Sequence, residues 1–285
     1  MNMTGRVRRR LVAATMAVAL GALGTAQPVW ATEKSSGGAP AQATQAAPDA
    51  HLMFFSWPNL IINVATAYLA GGSSSSDLRS AINQIIAAVE ASKIEILNHI
   101  DALAGADIQA CARQHTIEFA DIENMSNTVR QLWAQDATSC AALATSYLNA
   151  VDSQQAADTI SRLVPEIYAI AISARARAGF TIDLLTQDLI RTTETITVKL
   201  RPDCTTETLR WWDTSENAWY FEVHYTCTAY DGTRVSRYEA WLHAPDSGWL
   251  ISEPLDRAWI EAEAAKNTSW PQAVEALPRL RTIPT

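Results

Sequence analysis

The spacing of apolar residues changes once along this 285-residue chain, and that change constrains the fold more than any other feature. Between residues 77 and 190, apolar side chains recur at steps of three, four or seven, which places them on one face of a helix. From residue 192 to residue 252, Thr, Tyr, Trp and Val alternate with other residues, a pattern typical of strands. The sequence therefore predicts an α+β protein with an N-terminal antiparallel helical bundle, a small antiparallel β-meander and a C-terminal helix.

Four apolar stripes divide the predicted bundle. They span residues 78–103, 108–132, 140–151 and 160–174, and a further helix continues over residues 182–190. After the sheet, Pro254 is expected to open the C-terminal helix, and the chain from Trp270 onward is expected to be a short tail.

Two turns set the expected register of the sheet. Asp231-Gly232 is a two-residue hairpin signal that places Tyr230 opposite Thr233. The preceding loop, residues 214–217, places Asp213 opposite Ala218, and Cys204 then lies directly opposite Cys227. Directly opposed residues on antiparallel strands are close enough for a disulfide. The same register predicts a largely apolar face, which should pack on the helices, and a second face that carries the candidate site residues.

The chain has four cysteines, and an exported protein would be expected to pair them. If Cys204 bonds Cys227, then Cys111 is left with Cys140. That second bridge requires a turn near residues 124–127, because a straight helix would hold the two sulfurs far apart. Two free thiols on an unbroken helix are the alternative. His115 follows Cys111 by one turn, but a lone pair of this kind predicts core packing rather than a metal site.

One cross-strand row of the predicted sheet brings a base and two carboxylates together: Glu207, His224 and Glu239. Carboxylates beside an imidazole raise its pKa and suit it to acid–base catalysis, so a hydrolase is one hypothesis. The competing interpretation is a solvated row of opposite charges that stabilises the sheet modestly. The sequence contains no nucleophile, zinc-protease or phosphate-loop motif, and the balance leans against an enzyme.

A second row is aromatic and predicts a platform for a sugar or a peptide: Trp211, Tyr220 and His243, with Trp241 nearby. The favoured interpretation is that the C-terminal helix, through Leu255 and Trp259, covers this row as a second core layer, because seven tryptophans in one small region need burial.

The N-terminus predicts export. Residues 1–31 combine an arginine-rich head, a short apolar run and small residues before a cleavage site at Ala31, which is the pattern of a secretory signal peptide. The predicted organisation is a signal peptide at 1–31, a flexible leader at 32–51, an apolar segment with a Gly/Ser joint at 52–76, the bundle at 77–191 and the sheet with its helix at 192–285. Arginine far outnumbers lysine, which indicates a bacterial source.

Composition narrows the possible partners. The net charge is −8, and loss of the four arginines in the signal peptide takes it to −12, so nucleic acid is excluded as an expected partner. We expect a secreted protein, periplasmic if the source has an outer membrane, that binds an extracellular protein or glycan and needs no cofactor. The uncharged segment at residues 52–70 raises a second possibility, a membrane-active protein of the helical pore-forming type, although docking of this segment on the bundle is favoured.

Overall fold

The structure of the protein is a computed structural model that describes residues 57–103, 105–243 and 248–283. The predicted signal peptide, the leader and residues 52–56 lie outside the described residues. The helices are α1 (Trp57–Gly71), α2 (Ser76–Asp101), α3 (Ala106–Glu118), α4 (Asn127–Ala150), α5 (Gln154–Ala178), α6 (Asp183–Lys199), α7 (Arg257–Ala264) and α8 (Trp270–Leu280). The strands are β1 (Asp203–Asp213), β2 (Ala218–Thr228), β3 (Arg234–Leu242) and β4 (Trp249–Leu250). The predicted α+β class is confirmed.

Helix α5 is the centre of the bundle. Most of its residues are buried, and it contacts α1, α2, α3, α4 and α6. A helix that is apolar on nearly all sides must be surrounded to be stable in water, and this explains its central position. Helix α1 belongs to the same core, since Ile61, Val64 and Ala65 are buried against it. The described part of the apolar segment is thus docked on the bundle, and no described helix is long and apolar enough to cross a membrane.

The second predicted stripe is interrupted by a turn. Helix α3 ends at Glu118, a short 3-10 turn follows, and Ser126 caps α4 by accepting a hydrogen bond from the Val129 backbone N–H at 3.4 Å. The turn brings Cys111 and Cys140 together in the expected disulfide, with their Cα atoms 5.7 Å apart. Because it also rotates the chain, Val129 is exposed rather than buried, and the stripe prediction is wrong beyond the turn.

Helix α6 extends to Lys199, so the prediction that β structure begins at residue 192 is wrong. Thr192, Thr193 and Thr195 each donate a hydroxyl hydrogen bond to the carbonyl four residues earlier, which accommodates these β-branched residues in a helix. Ile196 is buried in the bundle and holds this last part of α6 in place. The first strand begins only at Asp203.

The predicted C-terminal tail is a helix. Pro271 occupies the first turn of α8, where its missing N–H costs nothing, and Trp270, Ala273 and Leu280 are buried against the bundle. The indole Nε1 of Trp270 donates to the Thr197 carbonyl at 2.9 Å. The chain therefore returns from the sheet to the bundle, packing α8 on α6 and α1.

The four strands lie in the order β1-β2-β3-β4, so within the described residues β1 is an edge strand with β2 as its single neighbour in the sheet. The first hairpin has the predicted register at every position, from Asp213 opposite Ala218 to Cys204 opposite Cys227. The Cys204–Cys227 disulfide is present, with the Cα atoms 4.0 Å apart. The Asp213 carboxylate stabilises the loop by accepting from the backbone N–H groups of Ser215 and Glu216.

The second hairpin is shifted by one residue from the prediction. Ala229 pairs with Thr233, so the loop holds three residues rather than two. A two-residue turn of the expected type needs positive φ at both central positions, whereas only Gly232 has it here, at 85°. The Asp231 carboxylate accepts from the Thr233 N–H at 2.8 Å and stabilises this wider turn. A shift of one residue moves every side chain of β3 to the other face of the sheet.

Helix α7 covers one face of the sheet near its base. Ile260 and Ala264 pack there on Tyr225 and Cys227, and the Tyr225 hydroxyl donates to Glu261 at 2.8 Å. The opposite face, which carries His224 on β2, we call the open face, because its large side chains remain exposed to solvent.

Candidate functional site

The predicted catalytic row does not form. Glu207 lies opposite His224 as expected, but the register shift places Glu239 opposite Val223 on the face that α7 covers. There the Glu239 carboxylate accepts from the Leu255 backbone N–H at 3.0 Å and from the Trp241 indole at 3.2 Å.

His224 contacts side chains that were not part of the predicted row. Its Nε2 lies 2.9 Å from Glu222 Oε2, and its ring stacks on Tyr238 with centroids 5.4 Å apart. The arrangement is a partly exposed hydrogen bond between an imidazole and a carboxylate, beside an aromatic ring.

The predicted aromatic row forms in part. Trp211 lies opposite Tyr220, and their rings stack with centroids 5.6 Å apart and planes 19° apart. Trp241 lies on the covered face opposite Phe221. His243 leaves the strand with a φ of 79°, and its ring contacts the Trp249 ring edge-on at 5.3 Å. The expectation that the C-terminal helix covers the row is wrong, because α7 packs on the other face.

The open face therefore carries two aromatic stacks, Trp211–Tyr220 and His224–Tyr238. They are four residues apart along β2, or about 13 Å at the usual strand rise. Glu222 lies between them on β2, and Glu207 lies beside His224. Trp211 is 40% exposed, so its ring is available to a ligand. A planar apolar surface with carboxylate acceptors beside it suits a ligand that has both C–H faces and hydroxyl groups.

The covered face also carries aromatic side chains at the end of the sheet away from α7. Trp212 and Trp219 meet edge-to-face at 5.5 Å near the tip of the first hairpin, and Trp212 is 44% exposed. Trp211 and Trp212 are thus neighbours in sequence with nearly equal exposure on opposite faces of one strand.

A cavity of about 470 Å³ lies in the bundle, between α1, α2, α5, α6 and α8. No sequence pattern predicted it. Its walls include the acidic side chains of Glu95 and Glu166, the imidazole of His99 and the hydroxyl of Ser161. A cavity of this size lies within the usual range for small-molecule sites, and buried ionisable groups mark such sites more often than ordinary surfaces.

Glu166 is the most unusual residue of the cavity. Its side chain is 8% exposed, and Oε2 has no hydrogen-bond donor among the described residues. Burial, and then the negative charge of Glu95, raise the pKa of Glu166 well above its usual range. Burying an unpaired carboxyl costs free energy, so this position reduces the stability of the ligand-free protein.

Pro165 interrupts the backbone hydrogen bonding of α5 next to Glu166. Proline has no backbone N–H, so the carbonyl of Ser161, four residues earlier in α5, lacks its helical partner. The Ser161 hydroxyl is also buried, at 2% exposure, and is without a partner in the part of the chain that the structure covers. The sequence signal that could have located this wall is a Pro-Glu pair between the apolar residues of the fourth predicted stripe.

The cations near the cavity bond to other groups. Arg162 donates to the Asp158 carboxylate at 3.0 Å, and Arg279 donates to Glu275 at 2.8 Å. Burial, against the opposing effect of Glu95, lowers the pKa of His99, which keeps the imidazole neutral at pH 7. Of the three carboxyl groups that line the cavity, Glu275 is paired with Arg279, and Glu95 and Glu166 form no ion pair within the described residues.

We expect Glu166→Gln to stabilise the ligand-free protein near neutral pH by roughly 1–3 kcal/mol. The raised pKa means that the folded protein holds a proton which the unfolded chain releases above about pH 4.3, so wild-type stability falls as the pH rises from there to the folded-state pKa. The variant lacks this titration. Urea denaturation at intervals between pH 4 and pH 8 measures the difference, with Glu90→Gln on the exposed surface of α2 as the control. If the free energy of unfolding depends on pH in the same way in the wild type and in Glu166→Gln, the raised pKa assigned to Glu166 is contradicted.

No three metal-binding side chains converge in the described ranges. Comparisons of the chain with protein-family models, with curated proteins and with solved structures give no match.

Proposed function

We propose that the protein is an exported binding protein that recognises an extracellular glycan through the open face of its sheet. The observation that carries this proposal is the pair of aromatic stacks, Trp211–Tyr220 and His224–Tyr238, exposed on one face with carboxylates next to them. Two disulfides, which fit an oxidising compartment, and the signal-like residues 1–31 support export.

The chemistry of sugars fits this face. The C–H groups on one side of a pyranose ring form an apolar patch that packs flat on an aromatic ring, whereas its hydroxyl groups require acceptors. Trp211 offers the exposed ring, and Glu222 lies one strand row away from it. Since the second stack lies about 13 Å further along β2, an extended oligosaccharide can contact both.

The geometry favours binding over hydrolysis. Glycoside hydrolysis commonly uses two carboxyl groups on either side of one bond, in a site that encloses the substrate. Here Glu222 already pairs with His224, and Glu239 lies on the covered face.

We expect Trp211→Ala to weaken glycan binding about tenfold, which corresponds to the loss of roughly one stacking contact. Retention of the secreted protein on insoluble cellulose, chitin, xylan and peptidoglycan provides the measurement. Trp212→Ala is the matched control, because it removes the same side chain with the same exposure from the other face of β1.

The two variants separate the possible outcomes. Retention that survives Trp212→Ala and is lost with Trp211→Ala supports recognition by the open face. Equal loss in both variants, or no retention of the wild type on any of the four polysaccharides, would overturn the glycan assignment and favour a protein partner instead.

A further inference from the structure

We propose that the bundle cavity is a second, separate binding site, which takes a small organic ammonium ion with its charged group at Glu166 and its alkyl part against the apolar wall. The site lies in the helical bundle rather than on the sheet, and the inference does not depend on glycan binding.

The first support is a pair of acceptor side chains from one helix. Glu166 and Ser161 both line the cavity and both belong to α5. An ammonium group has three donors and no acceptor, so it matches this set, whereas a carboxylate or phosphate ligand would be repelled. Buried polar groups without partners are rare in folded proteins, and here two of them line the same cavity.

The second support is the charge balance. Glu95 faces the cavity from α2 and places a second negative charge near Glu166. The nearby cations already have partners: Arg162 bonds to Asp158, and Arg279 bonds to Glu275 and Asn59. A cationic ligand would therefore balance charges that the protein itself leaves unbalanced.

The third support is the rest of the lining, which is mostly apolar. Ile61, Leu189, Ile196 and Leu280 come from three helices and form a hydrocarbon surface around the remaining space. An alkyl chain gains free energy by leaving water for such a surface, whereas a hydrated metal ion would lose its water without replacement. This combination favours an alkylammonium over an inorganic cation.

Binding at this position is coupled to a proton. Burial raises the pKa of Glu166 in the ligand-free protein, so it stays protonated to a higher pH than a free carboxyl, and an ammonium ion favours its ionised form. Association of the ammonium ion therefore releases a proton to solvent, and affinity rises with pH until Glu166 is ionised without ligand. Glu95, His99, Glu275 and the two arginines are the other charged or titratable groups that line the cavity.

The test is calorimetric titration of the full secreted chain with hexylammonium, hexanol and hexanoate at pH 6 and pH 8. We expect saturable binding of hexylammonium, at least about tenfold weaker binding of hexanol, and none of hexanoate. Repeating the titration in buffers of different ionisation enthalpy measures the released proton.

The matched variants are Glu166→Gln and Glu90→Gln. The first should lose at least about tenfold in hexylammonium affinity together with its pH dependence. The second removes an exposed carboxylate of α2 outside the cavity lining and should change little. If Glu166→Gln fails to fold, the comparison of the three ligands on the wild type still decides the question.

Three results would overturn the proposal: equal affinity for hexylammonium and hexanol, full affinity in Glu166→Gln, or binding of none of the three probes. Displacement of hexylammonium by micromolar Ca²⁺ or Zn²⁺ would also overturn it, in favour of a metal site. None of these results bears on the open face, whose test uses other ligands and other variants.

Discussion

Asp158→Ala should destabilise the protein by about 3–5 kcal/mol, the range expected when one partner of a buried charged network is removed. Asp158 is on α5 and is almost fully buried. One of its carboxylate oxygens accepts from the backbone N–H and the hydroxyl of Ser269, at 2.6 and 2.7 Å. The other accepts from the Tyr230 hydroxyl at 2.8 Å and from the Arg162 guanidinium. Alanine would take the acceptor away from both Ser269 donors and from the Tyr230 hydroxyl, whereas Arg162 would keep the Asn267 carbonyl.

The effect should extend beyond α5, because Asp158 joins three parts of the chain. Ser269 directly precedes α8, and Tyr230 belongs to the loop between β2 and β3. Urea denaturation measures the loss, and Asp152→Ala provides the control, since Asp152 is an exposed aspartate shortly before the same helix. A change in the free energy of unfolding of less than about 1 kcal/mol, no more than a typical surface substitution, would show that the network is not needed.

Replacing both Cys204 and Cys227 by alanine should cost about 3 kcal/mol. The two residues are 23 positions apart, and the chain-entropy model assigns about this value to a loop of that length. Cys227 is fully buried with Tyr225 and Ile260, so the loss of its sulfur also weakens the packing between β2 and α7. The measurement is urea denaturation of the double variant under non-reducing conditions.

The comparison is the double variant of Cys111 and Cys140, which opens a loop of similar length, with a separation of 29 positions. We expect a similar loss of stability from it but intact glycan retention, because that bridge lies within the bundle. Non-reducing peptide mapping of the wild type provides a further check: any peptide linking Cys204 to Cys111 or Cys140 would contradict both assignments.

The strand register was predicted correctly for one hairpin and wrongly for the other, and the number of independent sequence cues explains the difference. In the first hairpin, loop position and cysteine position gave the same register independently, and that register is correct at every pair. In the second hairpin the Asp-Gly signal stood alone, and it is compatible with two-residue and three-residue loops. The one-residue difference moved Glu239 to the covered face, and the predicted catalytic row was lost with it.

The cavity could not be predicted from local patterns. Its walls come from five helices that are far apart in sequence, and one of them, α8, was expected to be a tail. Hydrophobic periodicity shows which side of a helix is buried, but it does not show which other helices meet there. Glu166 illustrates the limit, because the spacing of apolar residues over 160–174 does not show that its carboxyl is buried without a partner.

The position of β1 at the edge of the sheet has a consequence for the protein at high concentration. Eleven residues long and paired on one side only, this strand presents backbone N–H and C=O groups to which a second molecule can add a strand. The exposed tryptophan side chains of this strand would add further contacts between the two molecules. Four charged residues are distributed along the strand, at Asp203, Glu207, Arg210 and Asp213, and charge on an edge is a common protection against aggregation. Because Asp213 also holds the first hairpin loop, variants that neutralise only Asp203, Glu207 and Arg210 should keep the fold of the monomer and lose colloidal stability, with precipitation appearing before any loss of helix content.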